Sequence, residues 1–331
     1  MTENKRVIEA INLRKEFNVK VRTDGKVKER KTLKAVDGIN IFVNKGETLG
    51  IVGESGCGKT TTAKLLLGLH EPTDGSIVIG DTKLTHMNRK DMKAFRRQAQ
   101  MVFQDPYESL NPRFRIKDTI MEPLEIHKIG KDKAERYEMA KQILEESGLK
   151  PAEQFMERFP HEMSGGQRQR VAIARALVLQ PDFLIADEPV SMLDVSIRAG
   201  VLKLLRKMIT TRDLAGIVIS HDISLVRYIS DRTAVMYLGK VVEQGPTESL
   251  IEKRYHPYTD ALMEAAPNPD PELKFSLSKI KGEAPNPVDL PCGCRFHTRC
   301  PKAMDVCKKD EPIEVDMGGG HMVACHLYGG K

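Results

Sequence analysis

The sequence predicts an α/β fold, a mostly parallel sheet with helices on both faces. Three observations predict it. Short, nearly continuous apolar runs, ETLGIVG (Glu47–Gly53), PDFLIADEP (Pro181–Pro189) and AGIVISHD (Ala215–Asp222), read as buried strands. Segments with a helical stripe, such as TTTAKLLLGL (Thr60–Leu69) and the charge-laced stretch Lys117–Gly148, stand between them. Strands alternate with helices over roughly 200 residues, and parallel strands need such crossovers.

The totals agree. The 331 residues suffice for one large domain or two unequal ones, and 40% apolar with 30% charged residues fits a globular, soluble chain. A net charge of +6 suits anionic ligands or a membrane-adjacent surface, and an ordinary solvated surface equally; it gives no reason to expect nucleic-acid binding. MTENKRVIEA has no apolar stretch behind its basic residues, so no secretory leader is expected. No apolar run approaches the roughly 18–20 residues that span a bilayer.

The elements follow in chain order. Residues 6–16 alternate like a strand and lead to Phe17. NVKVRTDGKVKER then sets alternating residues on either side of Asp24-Gly25, a hairpin signal. After the apolar strand comes Gly53-Glu54-Ser55-Gly56-Cys57-Gly58-Lys59-Thr60, which fits G-x-x-x-x-G-K-[ST], with Thr61 next in the helix that follows. Glycines let successive amides turn toward phosphate oxygens, and the helix start adds its positive end. Lys59 offsets β- and γ-phosphate charge, and the Thr60 hydroxyl is a ligand for Mg²⁺. Cys57 reads as packing and backbone donation rather than a reactive thiol.

Gln104 ends the apolar stretch MVFQDP, where its amide can reach the metal or an attacking water. Ser164, Gly165, Gly166 and Gln167 open a second helix whose amides are expected to lie bare for an anion. One loop already holds the nucleotide, so this helix start makes sense facing ATP on another subunit. FLIADE delivers Asp187 to the Mg²⁺ shell and Glu188 to polarise water. His221, after IVIS, is placed to contact the γ-phosphate.

In this order, the glycine loop, Gln104, Ser164-Gly165-Gly166-Gln167, Asp187-Glu188, Ser191–Asp194 and His221 resemble the ATP-binding subunit of an ABC transporter, over about residues 6–265. The resemblance implies a P-loop NTPase core of the RecA type, an antiparallel β subdomain and a helical subdomain at about 105–165. It implies two such subunits holding two ATP molecules head to tail, with Phe17 stacking on adenine and Asp194 at the seam. Met163 and Met192 depart from the usual leucine and smaller residue, and both stay apolar.

FQDPYESLNPR, SDRTAVMYLGKVVEQG and HPYTDALMEAAPNPDP resemble the oligopeptide/dipeptide importer branch. That implies a paralogous ATP-binding partner, two transmembrane permease subunits and an extracytoplasmic binding protein. It also implies a peripheral place on the cytoplasmic face of the membrane. Peptides are the expected cargo, with oligosaccharides or metal chelates as alternatives. The rival class, a soluble ABC ATPase acting on ribosomes or DNA, usually carries two cassettes or a long coiled-coil insertion, and neither is found.

Six prolines between Pro267 and Pro291 read as a linker over 266–291, followed by a small cysteine-rich module at 292–331. Cys294, Cys300, Cys307 and Cys325 are spaced C-x5-C-x6-C-x17-C. Disulfides are disfavoured in a cytoplasmic chain, and the spacing misses the close pairs of common zinc folds. The tail resembles the C-terminal motif of the importer branch, which implies a [4Fe–4S] cluster on these four. Zinc, with help from His297, His321 or His326, and four unliganded thiols are the alternatives; Cys292 can stand in for Cys294.

Overall fold

The computed structural model describes residues 5–23, 27–265 and 282–329. Its strands are β1 (Arg6–Thr23), β2 (Val27–Asn44), β3 (Thr48–Val52), β4 (Asp74–Ile79), β5 (Thr82–Lys83), β6 (Ala99–Val102), β7 (Phe183–Asp187), β8 (Ala215–Ser220), β9 (Arg232–Tyr237), β10 (Lys240–Pro246), β11 (Glu314–Asp316) and β12 (Met322–Ala324). The chain divides into two units: Met1–Val7, Val43–Thr48 and Met87–Ile219 form one, and Ile8–Phe42, Leu49–His86 and Ser220–Lys331 the other.

In the first unit β6, β7 and β8 are parallel, with Ala186 opposite Val102 on one side and Val218 on the other. Every residue of β7 and β8 is buried, as expected for strands covered on both faces. Helices pack around them. Asn88 and Asp132 cap Arg89–Gln98 and Lys133–Glu146 by accepting backbone N–H groups. The stretch read as helical from Lys117 to Gly148 is two helices, Ile116–Ile126 and Lys133–Glu146, separated by a turn in which Gly130 has φ +79°. Ile120, Leu124, Leu144, Val171 and Leu205 are fully enclosed. Each such side chain contributes about 2 kcal/mol on burial.

In the second unit β2, β1, β4 and β5 form one sheet, with β1 and β4 antiparallel and Ile8 opposite Ile79. The expected turn at Asp24-Gly25 lies outside the described residues; the strands that flank it are neighbours. The same unit also contributes the neighbouring strands β3-β9-β10-β12-β11 to a larger sheet. Among these five only β3 and β9 are parallel, and the other pairs are antiparallel.

The cysteine-rich end is not supported as a separate module. Its strands β11 and β12 extend the sheet beside β10, and Phe296 is enclosed with Tyr237 and Tyr258 in the core of the second unit. Buried Glu243 of β10 fastens the same end: its carboxylate accepts from the Tyr255 and His256 amides, and His321 Nε2 lies 2.8 Å away. Residues 266–281 of the expected linker lie outside the described residues, and 282–291 contain no helix or strand.

Candidate functional site

The glycine loop belongs to the second unit. A Cβ on Gly53 would lie 2.2 Å from the Met236 carbonyl oxygen, and one on Gly58 2.3 Å from that of Ala35. Both positions, with φ of +155° and +108°, therefore require glycine. The helix Lys59–Leu66 starts with no side-chain cap, so its first amides remain available to an anion. Buried Lys59 donates to the carbonyls of Gly53 (2.6 Å) and Glu54 (2.9 Å). Thr60 is exposed. Burial pushes the Cys57 thiol above its usual range, against the pull of Lys59, so it packs as a neutral side chain.

Glu54 is held twice. Its amide donates to Tyr258 Oη at 2.8 Å, and its carboxylate receives both terminal nitrogens of Arg299, at 2.8 and 3.1 Å. Sequence reasoning missed Arg299 and Tyr258, because their partner lies more than 200 residues away. In the same unit, half-buried Phe17 meets His70 edge-on, ring centres 5.7 Å apart, and His221 is exposed just past β8.

The first unit holds the other candidates. β7 carries Asp187 to its end, 3% exposed. Glu188 follows with φ +44°, a strained turn fixed by its amide donating to Ile219 and its carbonyl accepting from Ser191. Gln104 Nε2 lies 3.2 Å from Glu188 Oε2, so two of the expected residues meet. In this unit the buried carboxylate of Asp187 and the exposed amide of Gln104 are hard oxygen donors of the kind Mg²⁺ prefers; in the other unit Thr60 offers an exposed hydroxyl of the same kind.

Ser164 does not leave all the amides of its helix bare. Its hydroxyl accepts from the Gln167 amide, and the Gln167 side chain accepts from the Ser164 amide, closing a capping box. Gly166 has a packing reason as well: a Cβ there would lie 2.6 Å from Ile197 Cγ2. Beyond it, exposed Asp194 stands between Met192, 60% exposed, and Val195, 77% exposed.

The expected metal centre receives no support. Among the described residues no group of three or more His, Cys, Asp or Glu side chains is arranged to hold a metal ion. The histidines named for zinc are engaged otherwise: His297 Nδ1 lies 2.8 Å from the Cys294 carbonyl, His326 Nε2 2.8 Å from that of Asp310, and His321 binds Glu243. The cysteines are unpaired; burial, then the neighbouring thiols, push Cys294 and Cys325 up to about 11. Cys292 is exposed. No described helix is long and apolar enough to cross a membrane.

Residues 36–191 match the family described as ABC transporter, and residues 242–307 match the oligopeptide/dipeptide transporter C-terminal region. The chain is 47% identical over 302 residues to a putative oligopeptide transport ATP-binding protein, YkfD of Bacillus subtilis, covering 91% of each. It is 47% identical to a probable peptide ABC transporter ATP-binding protein, y4tS of Sinorhizobium fredii, over 89% of this chain and 83% of that one. Among solved structures, the ATP-binding cassette MJ0796, a dimer in a post-hydrolysis state with ADP and Pi, is 28% identical with a TM-score of 0.63, over 72% of this chain and 98% of that one. The glycine loop, the acids at the end of β7 and these similarities together make the chain a member of the ABC transporter ATPases, with the C-terminal region of their oligopeptide/dipeptide branch.

Proposed function

We propose that this chain is the ATP-hydrolysing subunit of an oligopeptide or dipeptide importer and drives transport by closing on a second cassette when ATP is bound. One observation carries the closure: the chain has two helix starts suited to phosphate. The first follows the glycine loop, and the second opens at Ser164-Gly165-Gly166, where the capping box takes up the Gln167 amide, in the unit that also exposes Met192, Asp194 and Val195. One nucleotide needs only one of them, so the second serves the ATP of a partner, and the exposed apolar pair flanking Asp194 suits a seam.

The roles follow from residue chemistry. The loop Gly53–Thr61 cradles the phosphates, with Lys59 offsetting their charge. Thr60, Asp187 and Gln104 would hold Mg²⁺, whose charge would offset that of the phosphates. Glu188 takes the proton of the attacking water, Gln104 orients Glu188, and His221 contacts the γ-phosphate. Phe17 stacks on adenine. Peptide cargo is supported by the names of the relatives and by the C-terminal match, which also disfavours action on ribosomes or DNA. The partners are a paralogous cassette, two permease subunits and an external binding protein, with this chain on the cytoplasmic face.

The test is reconstitution with two permease subunits and the binding protein in vesicles. Wild-type chain is expected to drive uptake of labelled peptide on ATP, and the Lys59→Ala chain is not. Uptake undiminished in Lys59→Ala, or a chain that never co-purifies with a permease, contradicts this reading.

We propose further that Cys294, Cys300, Cys307 and Cys325 bind an iron–sulfur cluster. What supports this is proximity: the Cys294 amide donates to the Cys307 carbonyl at 2.9 Å, and Cys294 and Cys300 pack against the same aromatic cluster, while four thiolates are the ligand set of such a cluster. Iron and sulfide assays on anaerobically purified protein check it; zinc alone, or no metal, rules it out.

A further inference from the structure

We infer that Arg299, from the cysteine-rich end, is a positioning residue for the phosphate loop and sets its affinity for nucleotide. This rests on the reading that the loop Gly53–Thr60 binds ATP. Arg299 is 8% exposed and grips the Glu54 carboxylate with both terminal nitrogens. A two-point grip of this kind fixes orientation as well as distance. Arg299 also lies 3.4 Å from Tyr237 Oη, and Tyr237 packs against Tyr258 with ring centres 4.6 Å apart. Tyr258 in turn accepts from the Glu54 amide. The side chain and the amide of one loop residue are thus both tied to the same aromatic cluster, into which Phe296 of the tail inserts.

Two consequences follow for the ligand. The Glu54 carbonyl is one of the two that receive Lys59, so the placement of Glu54 governs where the lysine ammonium rests. The Glu54 carboxylate is also a negative charge on a loop that must accept a polyphosphate. Arg299 neutralises it, and without Arg299 the carboxylate would repel the incoming anion across a poorly screened distance. The tail is therefore a working part of the nucleotide site.

The experiment titrates the full-length chain with a fluorescent ATP analogue, with thermal melting as a check on folding. Arg299→Met is expected to weaken binding by about tenfold, as an uncompensated nearby charge would. Adding Glu54→Gln to Arg299→Met removes the repelling charge and should recover most of that loss. A purely structural Arg299 gives the opposite, because the double variant loses one more hydrogen-bonding group and gains nothing. Arg299→Lys keeps the charge but not the two-point grip, and about a threefold loss is expected. Wild-type affinity in Arg299→Met, or no recovery in the double variant, overturns the inference. Should Arg299→Met fail to fold, wild-type affinity in Arg299→Lys overturns it. Lys59→Ala runs alongside: if that chain binds like wild type, the loop is not the ATP site. If Lys59→Ala loses binding while Arg299→Met does not, only the role of Arg299 fails.

Discussion

The amide nitrogen of Gln104 lies 3.2 Å from Oε2 of Glu188, on a turn where Glu188 holds a left-handed backbone at φ +44°. A carboxylate so placed is held by a donor rather than left to rotate. If Glu188 takes the proton of the attacking water, Glu188→Gln keeps the shape and removes the base. The expected result is kcat lower by about 10²–10⁴-fold with nucleotide binding retained. An ATP-loaded dimer should then be visible by light scattering. Hydrolysis within twofold of wild type would remove Glu188 from the role. Gln104→Ala should lower kcat by a smaller factor, since it loosens the base without deleting it.

Gly166 separates the two helix starts experimentally. A Cβ there would lie 2.6 Å from Ile197 Cγ2, so Gly166→Val must push the helix Gly165–Leu177 away from Val195–Thr211. Overpacking of this kind costs about 1–3 kcal/mol, enough for a tenfold or larger loss of dimer. The glycine loop belongs to the other unit, so the analogue titration should still give wild-type affinity. Hydrolysis at the wild-type rate in this variant would mean that the second helix start takes no part in turnover.

The tail is expected to contribute to global stability. Phe296 is 1% exposed, with its ring centre 5.3 Å from those of both Tyr237 and Tyr258. Phe296→Ala leaves a cavity in that cluster and should cost about 3–5 kcal/mol in urea unfolding. A loss below about 1 kcal/mol, or two separate unfolding transitions, would instead indicate a detachable tail.

The parts of the candidate site are legible in the sequence because each is local. The glycine loop, β7 and its two acids are each contiguous, and the spacing of residue types is itself the signal. The capping box at Ser164 and Gln167 is legible too, as Ser-x-x-Gln, although the same Ser-Gly-Gly start also reads as an anion site. A separate tail module finds no support because proline-rich composition signals a boundary in the chain, not in space. β12 pairs with β10 across more than 70 residues, and Arg299 reaches Glu54 across 245. Nothing near Arg299 in sequence distinguishes it from a solvated arginine. Burial and a partner decide that, and both arise only on folding.

Asp37 and Arg295 form a second long-range pair, both buried, and Arg295 also donates to the Leu238 carbonyl. Burial works against both charges. At Asp37 it is outweighed by Lys240, Arg295, Lys34 and Arg14, which hold the carboxyl below its usual range. At Arg295 burial prevails over the attraction of Asp37 and lowers its pKa, though it stays charged at neutral pH. A depressed carboxyl pKa stabilises the fold above the unfolded value, near 4, and that stability disappears as pH falls through the lower folded value. Asp37→Asn should therefore cost about 3–5 kcal/mol at pH 7, because it strands Arg295 in the interior. The difference between wild type and variant should begin to shrink as pH falls below about 4, by at most about 1.4 kcal/mol per pH unit, and should vanish only below the lowered folded value, since protonated Asp37 no longer pairs. Urea unfolding from pH 7 to 3 checks both parts; a difference that stays constant with pH would show that the Asp37 charge is not what holds Arg295.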